Sequence, residues 1–286
     1  MRDLHAFPPF LDPLVPQSGS HQWRGMFAPP EQLTPLFGRD DDLRSVLNLI
    51  TSDHARLVTL TGAPGVGKTR LALAICGEWQ LATGDEVFFV PLTALSDAAL
   101  VLPTIAHGLN VQPEGDVPLV ERVAATIGTH SALMVLDNFE QVVTAASDVI
   151  DLLTHCPSLT IVVTSRAALR VRGEYEWHVL PLKLPDIVEV DQLTILALNP
   201  AVALLLDRAR AHHSDLVLTK ANAPAIAGIC VRLEGIPLAI ELAAAWLKLF
   251  SPQMLVDRLA QDLELLREGA RDLPERQRTL SGAIAW

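Results

Sequence analysis

The chain reads as an α/β protein, a five-stranded parallel sheet covered by helices in three layers, followed by a small all-α domain. Three observations predict this. Short, nearly unbroken apolar runs alternate with helical patterns up to about residue 184, as expected for parallel strands buried on both faces. After Pro185 the strand signal disappears and the pattern becomes helical. A glycine-rich run from Gly62 to Thr69 joins the first apolar run directly to a helical pattern.

In chain order, residues 1–35 hold seven of the 20 prolines together with a Ser-Gly-Ser step, which disfavours helix and sheet ladders. This segment is expected to be an extended arm or linker. A helix is expected from Asp40 to Leu49, with Leu43, Val46, Leu47 and Ile50 recurring on one face at three- and four-residue spacing. Strands are expected at Leu57–Thr61, Val87–Pro91, Leu133–Asp137, Thr160–Thr164 and Trp177–Leu180. Helices are expected at Thr69–Leu81, Ala98–Leu109, Pro118–Gly128 and Phe139–His155. In the first of these Leu71, Ile75 and Trp79 repeat every four residues and should face the sheet. These elements define a domain over residues 36–184.

The helical domain is expected over residues 185–270. Pro200 and Pro224 suit first helical turns, giving helices to about Ala211 and Leu233. Gly235-Ile236-Pro237 breaks the chain before Leu238, Leu242, Ala245 and Leu249 mark another amphipathic helix. Ser251-Pro252 has N-cap and first-turn chemistry for a helix through Leu259.

At 286 residues and 50% hydrophobic content the chain can bury a sizeable core. A net charge of −11 argues against broad electrostatic capture of nucleic acid by this segment. Cys76, Cys156 and Cys230 are widely spaced with no C-x-x-C pair, as expected of reduced thiols in a cytoplasmic protein. No signal-peptide pattern opens the chain, and the longest apolar stretch, Gly235 to Phe250, contains Glu241 and Lys248. No membrane association is expected.

Gly62-Ala63-Pro64-Gly65-Val66-Gly67-Lys68-Thr69 fits G-x-x-x-x-G-K-[ST] at every fixed position, directly after Leu57–Thr61. Glycines let successive backbone N–H groups turn toward phosphates, and the following helix adds its positive N-terminal end. Lys68 should reach β- and γ-phosphate oxygens, and the Thr69 hydroxyl should coordinate Mg²⁺. This is a P-loop, and a bound nucleotide, ATP or ADP, is expected; Arg70 follows it at the same helix start.

Leu133 to Leu136 is an apolar run ending in Asp137, suited to delivering one carboxylate to Mg²⁺ at the sheet's carboxyl edge. An Asp that caps the next helix is the alternative. The following residue is Asn138, a poor proton acceptor, so hydrolysis should be slow unless Glu140 substitutes. Glu140 can equally be a first-turn acid favoured by the helix dipole. Ile161 to Arg166 is the next strand with its polar end, and Arg166 can approach a γ-phosphate from that edge or pair with a neighbouring carboxylate.

Phe37-Gly38-Arg39-Asp40, the P-loop, Leu136-Asp137-Asn138-Phe139-Glu140, Thr164-Ser165-Arg166 and Gly235-Ile236-Pro237-Leu238 occur in this order. Together they resemble the STAND class of AAA-related signalling ATPases, and among these the bacterial regulators related to NB-ARC domains. The resemblance covers about residues 34–286. It implies that Phe37, Gly38 and Arg39 lie against adenine and ribose, that Pro237 packs near the base, and that Arg166 is a sensor arginine. It further implies a cleft that closes according to the nucleotide, an ADP-held resting state and an ATP-bound active one. Residues 271–286 look like the start of a winged-helix domain cut short, and sensor repeats are expected to be missing. Protein partners or self-association would then work through those missing domains.

The expected function is thus an ATP- and ADP-binding signalling switch in a transcription regulator, with slow Mg²⁺-dependent hydrolysis. A P-loop small-molecule kinase and a non-hydrolysing nucleotide-binding scaffold are the alternatives.

Overall fold

The structure is a computed structural model and describes residues 27–112, 116–186, 192–212 and 216–261. Expectations placed on residues 1–26 and 271–286 lie outside the described residues.

Five strands form one parallel sheet: β1 (Leu57–Thr61), β2 (Glu86–Pro91), β3 (Ala132–Asp137), β4 (Leu159–Thr164) and β5 (Glu174–His178), in the order β2-β3-β4-β1-β5. The three central strands are buried at every position, which is why their sequences are nearly unbroken apolar runs. Alternation within them divides the core in two. Leu57, Met134, Leu136, Ile161 and Val163 face one layer, and Val58, Leu60, Leu133, Val135 and Val162 face the other.

The second layer is built by α1 (Asp40–Thr51) and α2 (Lys68–Thr83). Leu71, Ile75 and Trp79 of α2 are buried there, as the four-residue repeat predicted. The first layer is built by α3 (Val101–Gly108), α4 (Leu119–Ile127) and α5 (Ala146–His155).

Three expected elements differ in detail. The Ala98–Leu109 helix begins with a 3-10 turn at Ala98–Leu100, whose start is capped by the Asp97 carboxylate accepting from Ala99 N at 3.0 Å, before α3 proper. The Phe139–His155 helix resolves into 3-10 turns at Phe139–Gln141 and Val143–Ala145 followed by α5. The last strand runs over Glu174–His178 rather than Trp177–Leu180. It is an edge strand paired only with β1, so its residues need not be apolar.

The arm departs from a pure linker at its described end. Phe27 is buried in the core against α3, and its carbonyl accepts from Phe89 N at 2.7 Å.

Among the described residues past 192 the regular elements are all helices: α6 (Leu193–Leu198), α7 (Pro200–Ala211), α8 (Ala223–Arg232), α9 (Pro237–Trp246) and α10 (Pro252–Gln261). The short α6 carries no cap or long apolar period, so the sequence did not announce it. Asn199 caps α7, its side chain accepting from Ala201 N and Val202 N, with Pro200 in the first turn. Ser251 Oγ accepts from Met254 N at 3.3 Å at the start of α10. These helices share a separate apolar cluster that also takes in Leu182 and Phe37.

Candidate functional site

The loop between β1 and α2 holds its shape through left-handed or extended positive-φ backbone at Gly62, Gly65 and Gly67, with φ of 146°, 73° and 100°. A side chain at Gly65 would also press on Leu238, whose Cβ would lie 3.0 Å from the new carbon. These glycines are therefore required by conformation and by the close approach of α9.

A cleft of about 440 Å³ opens beside this loop. On the phosphate-loop side it is walled by Pro64 to Thr69, with Asp137, Asn138, Glu140, Thr164 and Arg166 from the strand ends. On the other side stand Phe37, Arg39, Arg70, Leu182, Leu204, Pro237, Leu238 and Glu241. The sequence-predicted residues thus converge from β1, β3, β4, the segment before α1 and the helical region. Gly38, Gly62 and Ala63 do not form its walls. Gly38, at φ 60°, sits where a Cβ would lie 2.4 Å from Pro200 Cβ, so it lets the segment before α1 touch α7.

Lys68 Nζ donates to the carbonyls of Gly62 at 2.8 Å and Ala63 at 3.0 Å, folding back over its own loop. Burial pushes its pKa down; Glu140 opposes this, Arg166 adds to it, and Asp137 opposes it. Thr69 Oγ1 and Thr164 Oγ1 both donate to the same oxygen of Asp137, Oδ1, at 2.7 and 2.6 Å. Asp137 does not cap a helix; its carboxyl, 5% exposed as a residue, is aimed at the loop. Burial holds its pKa above the ordinary carboxylate range, against the pull of the two threonine hydroxyls.

Thr164 also accepts from Asn138 N at 2.9 Å, which locks the β3 and β4 ends together. Asn138 adopts the left-handed conformation, φ 65°, one that Asn tolerates better than most residues. Its amide donates to Glu140 Oε1 at 3.3 Å, and Arg166 Nε lies 3.6 Å from that same oxygen. The pairing with a neighbouring carboxylate weighed for Arg166 is present, with Glu140 as its partner, and both residues line the cleft.

Arg39 is 4% exposed and holds the loop from behind, Nη2 donating to the Val66 carbonyl at 2.9 Å. Arg70 Nη2 donates to the carbonyls of Thr34 at 2.9 Å and Pro35 at 3.0 Å, fixing the segment that carries Phe37. Sequence reasoning gave no role to Thr164 or Glu241, nor any side-chain role to Arg70. Thr164 was visible as a hydroxyl ending an apolar strand; Glu241 as a lone acid within an apolar helix.

The oxygens of Thr69, Asp137 and Thr164 suit a hard cation such as Mg²⁺. Among the described residues no group of three or more His, Cys, Asp or Glu could hold a metal by itself. Such a pairing of few protein oxygens with a phosphate tail is how Mg²⁺ is usually held. Among the described residues no helix is long and apolar enough to cross a membrane.

Residues 51–172 match the family described as the AAA domain. A Mycobacterium tuberculosis protein named as a candidate HTH-type transcriptional regulator is 38% identical over 232 residues, 81% of this chain and 25% of its own length. An uncharacterized protein of the same species is 35% identical over 266 residues, 89% of this chain and 61% of its own length. This chain thus spans about a quarter of the first of these relatives. Among solved structures, Cdc6p from Pyrobaculum aerophilum superposes with a TM-score of 0.50 at 17% identity, covering 75% of this chain and 62% of that one. The parallel sheet and the loop from Gly62 to Thr69 show an α/β P-loop NTPase-like fold, to which the match of residues 51–172 to the AAA domain adds.

Proposed function

We propose that this chain is a nucleotide-state switch: it binds ATP or ADP with Mg²⁺, hydrolyses ATP slowly, and couples the state of its phosphate loop to the position of its helical region. The observation that carries this is the direct contact between the two. Leu238 N donates to the Gly65 carbonyl at 3.2 Å, and Pro237 Cγ stands 4.0 Å from where a Gly67 side chain would begin. A loop that rearranges around phosphates cannot do so without moving α9.

In this reading Arg70 and the loop residues from Gly62 to Thr69 other than Pro64 present backbone N–H groups to phosphates, and Lys68 leaves the Gly62 and Ala63 carbonyls to reach them. Thr69 and Asp137 hold Mg²⁺, which when bound neutralises phosphate charge. Phe37, Gly38, Arg39 and Pro237 border the nucleoside, and Arg166 senses the γ-phosphate. By the names of its relatives, the output of the whole protein is regulation of transcription through domains outside this segment. The more specific class is that of STAND and NB-ARC-like regulators, supported by the ordered motifs.

Titrating ATP and ADP into the wild type and Lys68→Ala tests the core of this. Loss of affinity in the variant is expected; undiminished affinity would sink it. A non-hydrolysing scaffold is the second reading, favoured by Asn138 behind Asp137 and by the engagement of Glu140 with Arg166. Tight binding without any turnover would select it. A second cavity of about 360 Å³ around His54, Arg56 and Tyr175 gives a kinase no acceptor site beside the phosphates, because Leu57 on its wall starts β1 at the edge opposite the phosphate loop.

A further inference from the structure

We propose that Glu241 is the nucleoside-selecting residue of this cleft, accepting a hydrogen bond from a donor on the nucleoside, either an exocyclic amine of the base or a ribose hydroxyl. This rests on the nucleotide-binding reading above and deepens it.

The placement of Glu241 is the first ground. Helices α2 and α9 start side by side, with Gly67 facing Pro237 and Gly65 bonded to Leu238. One turn further along each helix come Arg70 and Glu241, and both line the cleft. Phosphates belong at the Gly62 to Thr69 end, so a group one turn past Pro237 stands where the rest of a nucleotide must lie. Apart from Arg39 and Arg70 the walls there are apolar, formed by Leu36, Phe37, Leu182, Leu204 and Leu238. A few fixed polar groups in an apolar pocket are what orient a ligand and discriminate among ligands.

The second ground is that the carboxylate has no hydrogen-bond partner in the structure. Among the described residues Glu241 makes no hydrogen bond and no ion pair within 4.0 Å. Of its two cationic neighbours, Arg208 bonds to Asp207, and Arg70 donates through Nη2 to the Thr34 and Pro35 carbonyls while its buried Nε has no hydrogen-bond partner among the described residues. Those arginines still lower the cost of keeping a charge at Glu241, against the upward push of burial on its pKa. Glu241 is half-buried, and an acceptor partly shielded from water and without a hydrogen-bond partner carries a cost that a ligand donor relieves. A site built to bond a donor rejects the analogue that lacks it far more strongly than an apolar wall rejects a misfit.

The test measures dissociation constants of ADP, IDP, 2′-deoxy-ADP and inorganic pyrophosphate for the wild type, Glu241→Ala and Glu241→Gln. The wild type should prefer ADP to IDP or to 2′-deoxy-ADP by about tenfold to a hundredfold, the worth of one hydrogen bond to a charged group. Preference over IDP identifies the base amine, and preference over the deoxynucleotide identifies the ribose. In Glu241→Ala that preference should vanish and the ratio of ADP to pyrophosphate affinity should fall by the same factor. Glu241→Gln, which keeps an acceptor of the same reach, should retain part of it. An unchanged ratio in Glu241→Ala, or an equal loss for pyrophosphate, overturns the proposal while leaving nucleotide binding intact. A wild type that binds pyrophosphate and no nucleotide, or neither, overturns both.

Discussion

Arg39 and Val66 are joined by a 2.9 Å hydrogen bond from the guanidinium Nη2 to the backbone carbonyl, 27 residues apart in the chain. The other arm of the guanidinium, Nη1, lies 2.9 Å from Asp42 Oδ2, and Asp42 Oδ1 accepts from the Trp177 indole at 3.1 Å. One buried cation therefore ties α1, the phosphate loop and the edge strand β5 together. Arg39→Ala is expected to cost about 2 kcal/mol, since it leaves a charge and a carbonyl without their partner. Arg39→Lys should recover little, because one ammonium lacks the planar fork that serves two acceptors at once. Thermal unfolding with and without ADP checks this, and a variant as stable as the wild type would refute it.

Asp137 gives a prediction with a definite sign. Its folded pKa lies above its unfolded one, chiefly through burial. The folded state therefore prefers the protonated acid, and the contribution is present below the unfolded pKa and lost as pH rises through the folded pKa. Without nucleotide, Asp137→Asn should raise the melting temperature at neutral pH and flatten this part of the pH dependence. The same substitution should abolish the Mg²⁺ dependence of ADP binding. A lower melting temperature at pH 7 would show that the charge is better accommodated than its burial implies.

Arg166 must leave Glu140 to reach a γ-phosphate. The pair is partly exposed, 32% at Arg166 and 15% at Glu140, so it is worth no more than about 1 kcal/mol. Glu140→Gln should therefore raise the affinity for ATP relative to ADP by up to roughly fivefold. Arg166→Ala should erase that difference without changing ADP binding. Equal ATP-to-ADP ratios in all three proteins would remove Arg166 from the sensing role.

The parts of this molecule that could be read from sequence are those where one physical demand dominates. Strands β1, β3 and β4 are buried on both faces, so their apolar runs could mean little else. The Gly62 to Thr69 loop was legible because its backbone needs glycines in fixed places. Strand β5 was misplaced because an edge strand answers to no such demand: Glu176 there serves to accept from Thr61 Oγ1 at 2.8 Å. The Phe139–His155 helix breaks at Val142, whose φ of −124° and ψ of 30° leave the helical region where its side chain is buried among distant elements of the core. Glu241 and Arg70 were opaque for the same reason, since what matters about them is which distant elements they face.

The seat of Phe27 can be tested by filling the space it occupies. A Cβ on Gly108 would come within 1.8 Å of the Phe27 ring, so Gly108→Ala must expel the ring or displace α3. Overpacking of this kind costs about 1 to 3 kcal/mol, and Phe27→Ala should cost about 3 kcal/mol. The double variant should be clearly less destabilised than the sum, because once the ring is gone the added methyl meets nothing there. Additive losses in urea denaturation would mean that the two do not share that space.

The strand order has a consequence for the timing of assembly. The strand that launches the phosphate loop, β1, pairs with β4 and β5, so Leu57 meets Ile161 and Glu174, each more than a hundred residues downstream. Neither neighbour exists when the loop itself leaves the ribosome. Closing such distant pairings is slow compared with forming local helices. A nascent chain halted before residue 159 carries the whole phosphate-binding sequence but neither of the strands that flank β1, so the loop's framework is completed long after the loop itself is made.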